Sequence, residues 1–376
     1  MTGVFALAAA LLALVGLAQA AAGAVLVRRF TAQPRGPAPA RPPITVLKPL
    51  HGDEPRLEDA LASTWRQDYP VFQIVLGVQD PDDPALAVVE RLRRRFPERD
   101  IAVVVDPRRH GSNPKIGNLI NMLPAAKHDL LVIADSDLHV APDWLERIAA
   151  ALAEPGTGLA CTLYAGLPAT GALTERLGAL QITHTFLPGA VLSRALGRQD
   201  CLGATMALRR ETLARIGGLP ALADHLADDN VLGRLVQAQG LAVRLADTVP
   251  ATTVPETTFA ALFRHELRWA RTIRALVPAQ FAASVLQYPI VWALLALALS
   301  GGSAWGWGAV AAAWVTRAMA ARAIDRALAP RLGTLAFRAP LWLLPVRELL
   351  SVAVMLASYA GLRVDWRGRS LHADSP

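Results

Sequence analysis

The stretch Asp129-Leu130-Leu131-Val132-Ile133-Ala134-Asp135-Ser136-Asp137 decides the fold. Residues 130–134 are apolar without alternation. Such a run reads as a strand covered on both faces, as in a parallel sheet between helices. It stops at two carboxylates two positions apart. In open α/β sheets ligands bind beyond the carboxyl ends of the strands. Asp135 and Asp137 can therefore point into one crevice and share a divalent cation. Hard oxygen ligands suit Mg2+ or Mn2+, which also take diphosphate oxygens. An Asp-x-Asp alone is a weak signal, and its place after a buried strand strengthens it.

Working outward, strands and helices alternate. Ile44–Leu47 is a short β-type run that ends at Lys48-Pro49, and 57–66 has helical spacing. Gln73–Val78 reads as a second strand, Pro84–Phe96 as a helix with arginines on its polar side, and Ile101–Val105 as a third strand. Ile116–Leu123 reads as a short helix before the run at 129–134, and Pro142 sits near the start of the next helix, where proline is tolerated. The alternation predicts an α/β fold, a Rossmann-like, mostly parallel sheet with helices on both faces.

The flanks are of another kind. The chain has 376 residues, 53% hydrophobic and 18% charged, with a mean hydropathy of +0.32. These values exclude a disordered chain and sit poorly with an ordinary soluble enzyme, for which about a quarter of residues are charged. Val4–Val27 carries no charge and exceeds the length needed to cross a bilayer. Ala18-Gln19-Ala20 could pass as a signal-peptide cleavage site, but no positive charge precedes the run and the apolar stretch continues beyond it. It reads as an anchor, and Arg28 and Arg29 behind it place the following domain in the cytoplasm. Phe281–Ser300 and Ala304–Ala321 are further candidate spans, with Gly301-Gly302-Ser303 as the turn. A third stretch, 339–362, contains Pro340, Pro345, Arg347 and Glu348. Crossing once, it would leave the basic tail outside, which a broken or re-entrant pair would avoid.

The resulting organisation is an N-terminal anchor (1–30), a Pro-rich linker (31–43), an α/β domain (44–262), an interfacial amphipathic helix (263–280), membrane helices (281–362) and a tail (363–376). Two cysteines exclude a disulfide scaffold and a Cys-rich metal site. A net charge of +7 fits an anionic membrane surface or a phosphate-bearing substrate. No nucleic-acid motif is present.

Two more acidic sites stand out. Asp80-Pro81-Asp82-Asp83-Pro84 follows the second strand, and taken alone it also reads as a solvated turn with a helix cap. Asp228-Asp229 reads either as an exposed helix start, favoured by the helix dipole, or as the place of a general base. Lys115 lies at a helix start, where anions bind well. Arg268-Trp269 stands just before the apolar helices. A guanidinium can grip a diphosphate and an indole can line a sugar pocket, although an isolated pair reads as a snorkelling arginine beside an interfacial tryptophan.

Taken together, these features resemble the processive and lipid-acceptor branch of GT-A glycosyltransferases. More closely, the chain resembles the ceramide glucosyltransferase family, including its bacterial hopanoid-associated members. The matching text is VLKPLHGDEP at 46–55, VQDPDDPA at 78–85, NPKIGNL at 113–119, IADSD at 133–137, GATMALRRETL at 203–213, LADDN at 226–230 and RHELRW at 264–269. The resemblance implies that Asp83, with Asp80 beside it, contacts the nucleotide, and that Lys48 and Lys115 serve the donor. It implies that Asp135 and Asp137 bind the cation, Mg2+ or Mn2+, and that Asp229 is the base. Arg268 and Trp269 carry over directly. The family signature normally opens with Gln or Arg, and here that position is His265, with Arg264 one residue earlier. His184 could face the acceptor, against the commoner reading of a lone histidine as structural.

The implied reaction is a single inverting displacement that moves glucose or N-acetylglucosamine from a UDP-sugar to a lipid hydroxyl, of a ceramide or of a hopanoid polyol such as bacteriohopanetetrol. The alanine- and arginine-rich composition points to a bacterial inner membrane and slightly favours the hopanoid. The rivals are a polyprenyl-phosphate or polysaccharide glycosyltransferase and, from another class, an inactive membrane scaffold.

Overall fold

The computed structural model of the chain describes residues 2–33, 41–361, 363–366 and 369–372. The linker read at 31–43 and the tail read at 363–376 thus fall partly outside the described residues. Two compact units result: Gln33–Ala165 with Gly197–Pro255, and Met1–Ala32 with Gly166–Leu196 and Glu256–Asp374. Residues 166–196, read in the sequence as part of the catalytic segment, group with the helical unit.

In the α/β unit, β1 (Ile44–Pro49), α2 (Leu57–Trp65), β2 (Phe72–Val78), α3 (Ala85–Arg95), β3 (Asp100–Val105), α4 (Pro114–Met122), β4 (Leu130–Ala134), β5 (Leu138–His139) and α5 (Trp144–Ala153) follow in turn. Then comes β6 (Thr157–Cys161), and the short β7 (Ala165–Pro168) begins at the last residue of this segment and runs into the helical unit. After residue 196 the unit resumes with β8 (Thr205–Arg209), α8 (Arg210–Arg215), α9 (Asp228–Ala238), β9 (Ala242–Leu245) and β10 (Ala251–Val254). The main sheet has the order β3-β2-β1-β4-β8-β6-β9. β1 pairs parallel with β2 and β4, with Ile44 opposite Phe72 and Leu130. β8 is antiparallel to both β4 and β6.

The continuous apolar strands are explained by cover on both faces. Leu130, Val132 and Ala134 pack into a core with Trp65, Trp144, Leu61 and Ile74. The alternate residues, Leu131 and Ile133, pack with Ile116, Leu119, Met122 and Leu232. Each buried leucine, isoleucine or valine among them contributes about 1.5–3 kcal/mol relative to exposure. The arrangement leaves the carboxyl ends of β1, β2 and β4 to carry polar loops.

The helical unit holds α1 (Thr2–Thr31), α6 (Leu173–Gln181), α7 (Leu187–Ala195), α10 (Phe259–Leu276), α11 (Pro278–Ala283), α12 (Pro289–Leu299), α13 (Ala304–Leu332) and α14 (Leu344–Ser358). A hairpin of β11 (Arg363–Trp366) and β12 (Arg369–His372) closes it. α1 buries a stripe of small residues, Ala6, Ala9, Ala13 and Gly16. At Gly16 a β-carbon would stand 2.4 Å from the Leu286 carbonyl oxygen, so only glycine permits this approach of the two backbones.

Among the described residues, two helices are long and apolar enough to cross a membrane, Thr2–Thr31 and Leu341–Ser358. The stretch read as a single span at 281–300 is two helices, Pro278–Gln287 and Pro289–Leu299, bent by 69°. Pro289 lies in the first turn of α12, and proline cannot continue the preceding helix. The span read at 304–321 belongs to a helix that runs on to Leu332, with Arg317 buried within it. Its tryptophans, glycines and arginines keep it outside the set of helices apolar enough to cross.

Candidate active site

Backbone ties between two distant loops build the centre of the α/β unit. Asn113 caps α4: its Oδ1 accepts the Ile116 N–H at 3.1 Å, and Pro114 opens the helix. Its Nδ2 donates to the His225 carbonyl at 2.8 Å and reaches Asp228 Oδ1 at 3.4 Å. The Asn113 N–H donates to the Ala223 carbonyl at 2.8 Å, and the Ser112 N–H to Asp224 Oδ1 at 2.8 Å. Gly111, at φ 68°, would place a β-carbon 2.4 Å from the Ala223 oxygen, so no other residue fits this crossing. The start of α4 is thereby fastened to the start of α9.

The consequence is a partly buried cluster of opposite charges. Lys115 Nζ stands 2.7 Å from Asp135 Oδ1 and 3.9 Å from Asp228 Oδ2. Burial opposes the charge of Lys115, but Asp135 and Asp228 together hold its pKa above the ordinary lysine value. Lys48, at the end of β1, is fully buried and donates to the main-chain oxygen of Asp135 at 2.7 Å. Burial pulls its pKa down to about 8, against the charges of Asp137, Asp135 and Glu54. Asp137 accepts from Thr252 Oγ1 at 2.6 Å, and burial, then the Asp135 charge, push its carboxyl up to about 7.

Asp228 and Asp229 open α9, where the helix dipole favours negative charge. Burial outweighs the dipole. It raises the pKa of Asp228, and with the Asp228 charge it pushes Asp229 up to about 6. Asp229 Oδ1 accepts the Asn230 N–H at 2.8 Å. A β-carbon on Gly203 would lie 2.9 Å from Asp229 Oδ2, so the glycine makes room for this carboxylate. Tyr164 feels the same cluster: burial and the Asp229 charge raise its pKa, which keeps the phenol protonated.

Asp83 plays a different part. Its two oxygens accept the Gly52 N–H at 3.0 Å each, and Oδ1 accepts the Ala85 N–H at 2.9 Å. Its carboxylate thus holds the β1–α2 loop. Two residues on, Glu54 Oε2 takes the Ser136 hydroxyl at 2.5 Å, between Asp135 and Asp137. Asp80 is exposed, and its Oδ1 accepts the Asp82 N–H in the turn at 3.0 Å. The structure therefore brings together Lys48, Lys115, Asp135, Asp137 and Asp229, and leaves Asp80 at the surface.

The donor set suits a hard cation. Asp135 and Asp137 supply carboxylate oxygens, and Asp228 Oδ2 is buried with no hydrogen-bond partner among the described residues. No group of three or more His, Cys, Asp or Glu side chains among the described residues is arranged to close on an ion by itself. Two carboxylates completed by diphosphate oxygens and water are the usual way Mg2+ is held.

In the helical unit, α10 sorts its residues by face. Glu266 is buried, two of its oxygens each 2.7 Å from the Arg347 guanidinium of α14, in a bidentate pair. His265, Arg268 and Trp269, spaced i, i+3, i+4, share a half-buried face. His265 Nδ1 bonds Glu256, and its ring lies edge-on to Trp269 at 4.5 Å. His184 is buried with Nε2 2.8 Å from Asp325 Oδ1.

The profile of glycosyl transferase family 21 matches residues 8–375. The chain belongs to that family.

Among curated relatives of this family 21 chain, ceramide glucosyltransferase 1 of Caenorhabditis elegans is 22% identical over 257 residues, 67% of this chain and 54% of the relative. Ceramide glucosyltransferase of Komagataella phaffii is 36% identical over 113 residues, 29% of this chain and 22% of the relative. The chain therefore spans about half or less of the length of these relatives. Among solved structures, a mannosyltransferase of Pyrobaculum calidifontis, in complex with GDP-Man and Mn2+, superposes with a TM-score of 0.56 at 22% identity, over 96% of this chain and 99% of that one. This likeness shows the GT-A fold.

Sequence reading missed Glu54, Thr252, Gly203 and Asn113, all of which shape the cluster. Glu54, Gly203 and Asn113 lie inside motifs already quoted, but nothing in their spacing shows which neighbour they face. Thr252 is 115 residues from its partner Asp137 and leaves no local signal.

Proposed function

We propose that this family 21 glycosyltransferase moves a sugar from a UDP-sugar to the hydroxyl of a lipid, with inversion at the anomeric carbon. The observation that carries the reading is the joining of Asp135 and Asp228 through one half-buried ammonium, Lys115, at the carboxyl end of β4. Such a site accommodates a diphosphate beside a base. Curated relatives are ceramide glucosyltransferases, and a fold neighbour was solved with a nucleotide sugar and Mn2+.

Asp135 and Asp137 would hold Mg2+ or Mn2+. When bound, the ion supplies neutralisation of the leaving diphosphate. Lys48 fixes the Asp135 backbone, and Lys115 offers the phosphates a positive charge from the start of α4. Asp229 accepts the proton of the attacking hydroxyl; its raised pKa makes it a better base than a surface aspartate. Asp83 orders the loop that carries Glu54 and in this way serves the nucleotide side. Arg268, with Trp269 and His265 on its face of α10, stabilises charge on the departing diphosphate. His184 faces the acceptor. The acceptor is a ceramide or a hopanoid polyol, each of which presents a hydroxyl at the end of an apolar body. The α/β unit lies on the cytoplasmic side of the bacterial inner membrane, a placement supported by Arg28 and Arg29 at the end of α1.

Mass spectrometry of lipids from cells with and without the gene tests the function. A hexose- or N-acetylhexosamine-bearing lipid that vanishes with the gene supports it, and the aglycone mass names the acceptor. An unchanged glycolipid profile contradicts it.

A further inference from the structure

Asp135 and Asp137 are joined by one residue, Ser136, in a turn between β4 and β5. The backbone torsions around that residue set how the two carboxylates point relative to each other. Each position of the turn is tied to a different part of the α/β unit. The Asp135 N–H donates to the Ala204 carbonyl at 3.1 Å, and its own carbonyl accepts Lys48 Nζ at 2.7 Å. Asp137 is fastened to β10: Thr252 Oγ1 donates to its Oδ2 at 2.6 Å, and the Thr253 N–H to its carbonyl at 3.3 Å. Ser136 is 6% exposed, and its hydroxyl donates to Glu54 Oε2 at 2.5 Å.

A serine hydroxyl in a turn ordinarily bonds a neighbouring backbone group, which favours other turn geometries. Here a carboxylate takes it instead. The distance is typical of an O–H on an ionised oxygen, a bond about twice as strong as a neutral one. Glu54 is itself held in place. It lies in the loop between β1 and α2, where both oxygens of Asp83 accept the Gly52 N–H at 3.0 Å. Gly52, at φ 76°, takes the left-handed conformation that suits glycine. A line of ties thus runs from Asp83, after β2, through Gly52 and Glu54 to Ser136, after β4. The charge of Glu54 also reaches Asp137 and Lys48, so charge and hydrogen bond are two separable ways for it to act. Nothing in the sequence pairs residues 54 and 136, which lie 82 positions apart.

We infer that Glu54 is a positioning residue for the cation: by holding the Ser136 hydroxyl it fixes the turn in which Asp135 and Asp137 present their carboxylates together. The inference rests on the reading of those two residues as holders of Mg2+ or Mn2+ for a donor diphosphate. Partners that orient metal ligands from behind are typically worth about 10- to 100-fold in metal affinity.

The test uses the full chain in lipid nanodiscs, as wild type, Ser136→Ala, Glu54→Ala, the double variant and Glu54→Gln. Mn2+ is titrated in saturating UDP and the free ion is read by electron paramagnetic resonance, with UDP alone as the blank. Ser136→Ala leaves every charge in place. It is expected to weaken Mn2+ binding by about 10- to 100-fold, with the melting temperature of the metal-free chain close to wild type. In the Glu54→Ala background the same substitution is expected to cost nothing more, since both changes remove one bond. Glu54→Gln, whose amide oxygen still accepts the hydroxyl, is expected to recover most of the affinity that Glu54→Ala loses. Additive losses in the double variant overturn the inference, as does a Glu54→Gln chain as weak as Glu54→Ala, because either makes Glu54 act by its charge or as a ligand. Wild-type Mn2+ affinity in Ser136→Ala overturns it too. So does a fall in melting temperature alongside the loss of affinity, which marks a merely structural bond. A wild-type chain that binds no Mn2+ beyond the UDP blank overturns it outright. If the wild type binds Mn2+ and glycosylates no lipid, the proposed function fails, and the titration still decides the part played by Glu54.

Discussion

Lys115 and Asp135 meet at 2.7 Å, between the first turn of α4 and the loop after β4. The ammonium is also within 3.9 Å of Asp228, so one cation balances acidic groups from two ends of the unit. Removing it leaves buried carboxylates uncompensated and deprives the donor diphosphate of a positive partner. Lys115→Met is expected to weaken donor binding by about 10- to 100-fold, the worth of a charge-assisted hydrogen bond of about 1.5–3 kcal/mol. Steady-state donor KM and direct titration with UDP check this.

The pH dependence follows from the raised carboxyls. Asp229, pushed up to about 6, must be ionised to act as a base, so the transfer rate should fall below about pH 6 in proportion to the ionised fraction. Stability should move the other way. Asp137, Asp228 and Asp229 retain protons in the folded chain that an unfolded chain releases near about pH 4. The folded state thus binds more protons, and its stability declines as pH rises from about 4 to about 7. A cation held by Asp135 and Asp137 favours their ionised forms, and Mn2+ should flatten the decline. Melting temperatures across this range, with and without MnCl2, measure both effects.

Gly203 offers a selective lesion. A methyl group there would sit 2.9 Å from Asp229 Oδ2 and 3.2 Å from Cγ, and the side chain is the part able to yield. Gly203→Ala should displace the Asp229 carboxylate, lowering kcat by about 100-fold, the lower end of what a positioned base contributes, while UDP affinity stays near wild type. Loss of UDP affinity together with kcat would show that the site itself had collapsed.

The Glu266–Arg347 pair holds α10, and with it Arg268, to α14. Breaking one side of a buried ion pair leaves a bare charge, at a cost of about 3–5 kcal/mol, whereas replacing both partners with apolar residues is often neutral. Glu266→Met should lower thermal stability sharply in detergent, and Glu266→Met with Arg347→Met should recover most of the loss. A double variant as unstable as the single one would count against the pairing.

The strands were legible because β1, β2 and β4 are buried on both faces and therefore written as unbroken apolar runs. The carboxylates of 135 and 137 could be placed because a strand end fixes where they lie. The insertion of β8, antiparallel, between β4 and β6 left no local trace, since residues 205–209 look the same in either direction. The bend before Pro289 was hidden inside a uniformly apolar stretch. Buried partners such as Glu266 and Arg347, or His184 and Asp325, are 81 and 141 residues apart, and charge alone does not tell which arginine or aspartate folds against which.

The most direct measurement is a paired assay of UDP binding and sugar transfer on the purified full chain in lipid, with Mn2+, for wild type, Asp135→Asn and Asp229→Asn. Asp135→Asn should lose UDP affinity, and Asp229→Asn should keep it while transferring no sugar to lipid. Undiminished UDP affinity in Asp135→Asn, or wild-type transfer by Asp229→Asn, would contradict the assignment of this acidic cluster as the place where donor and acceptor react.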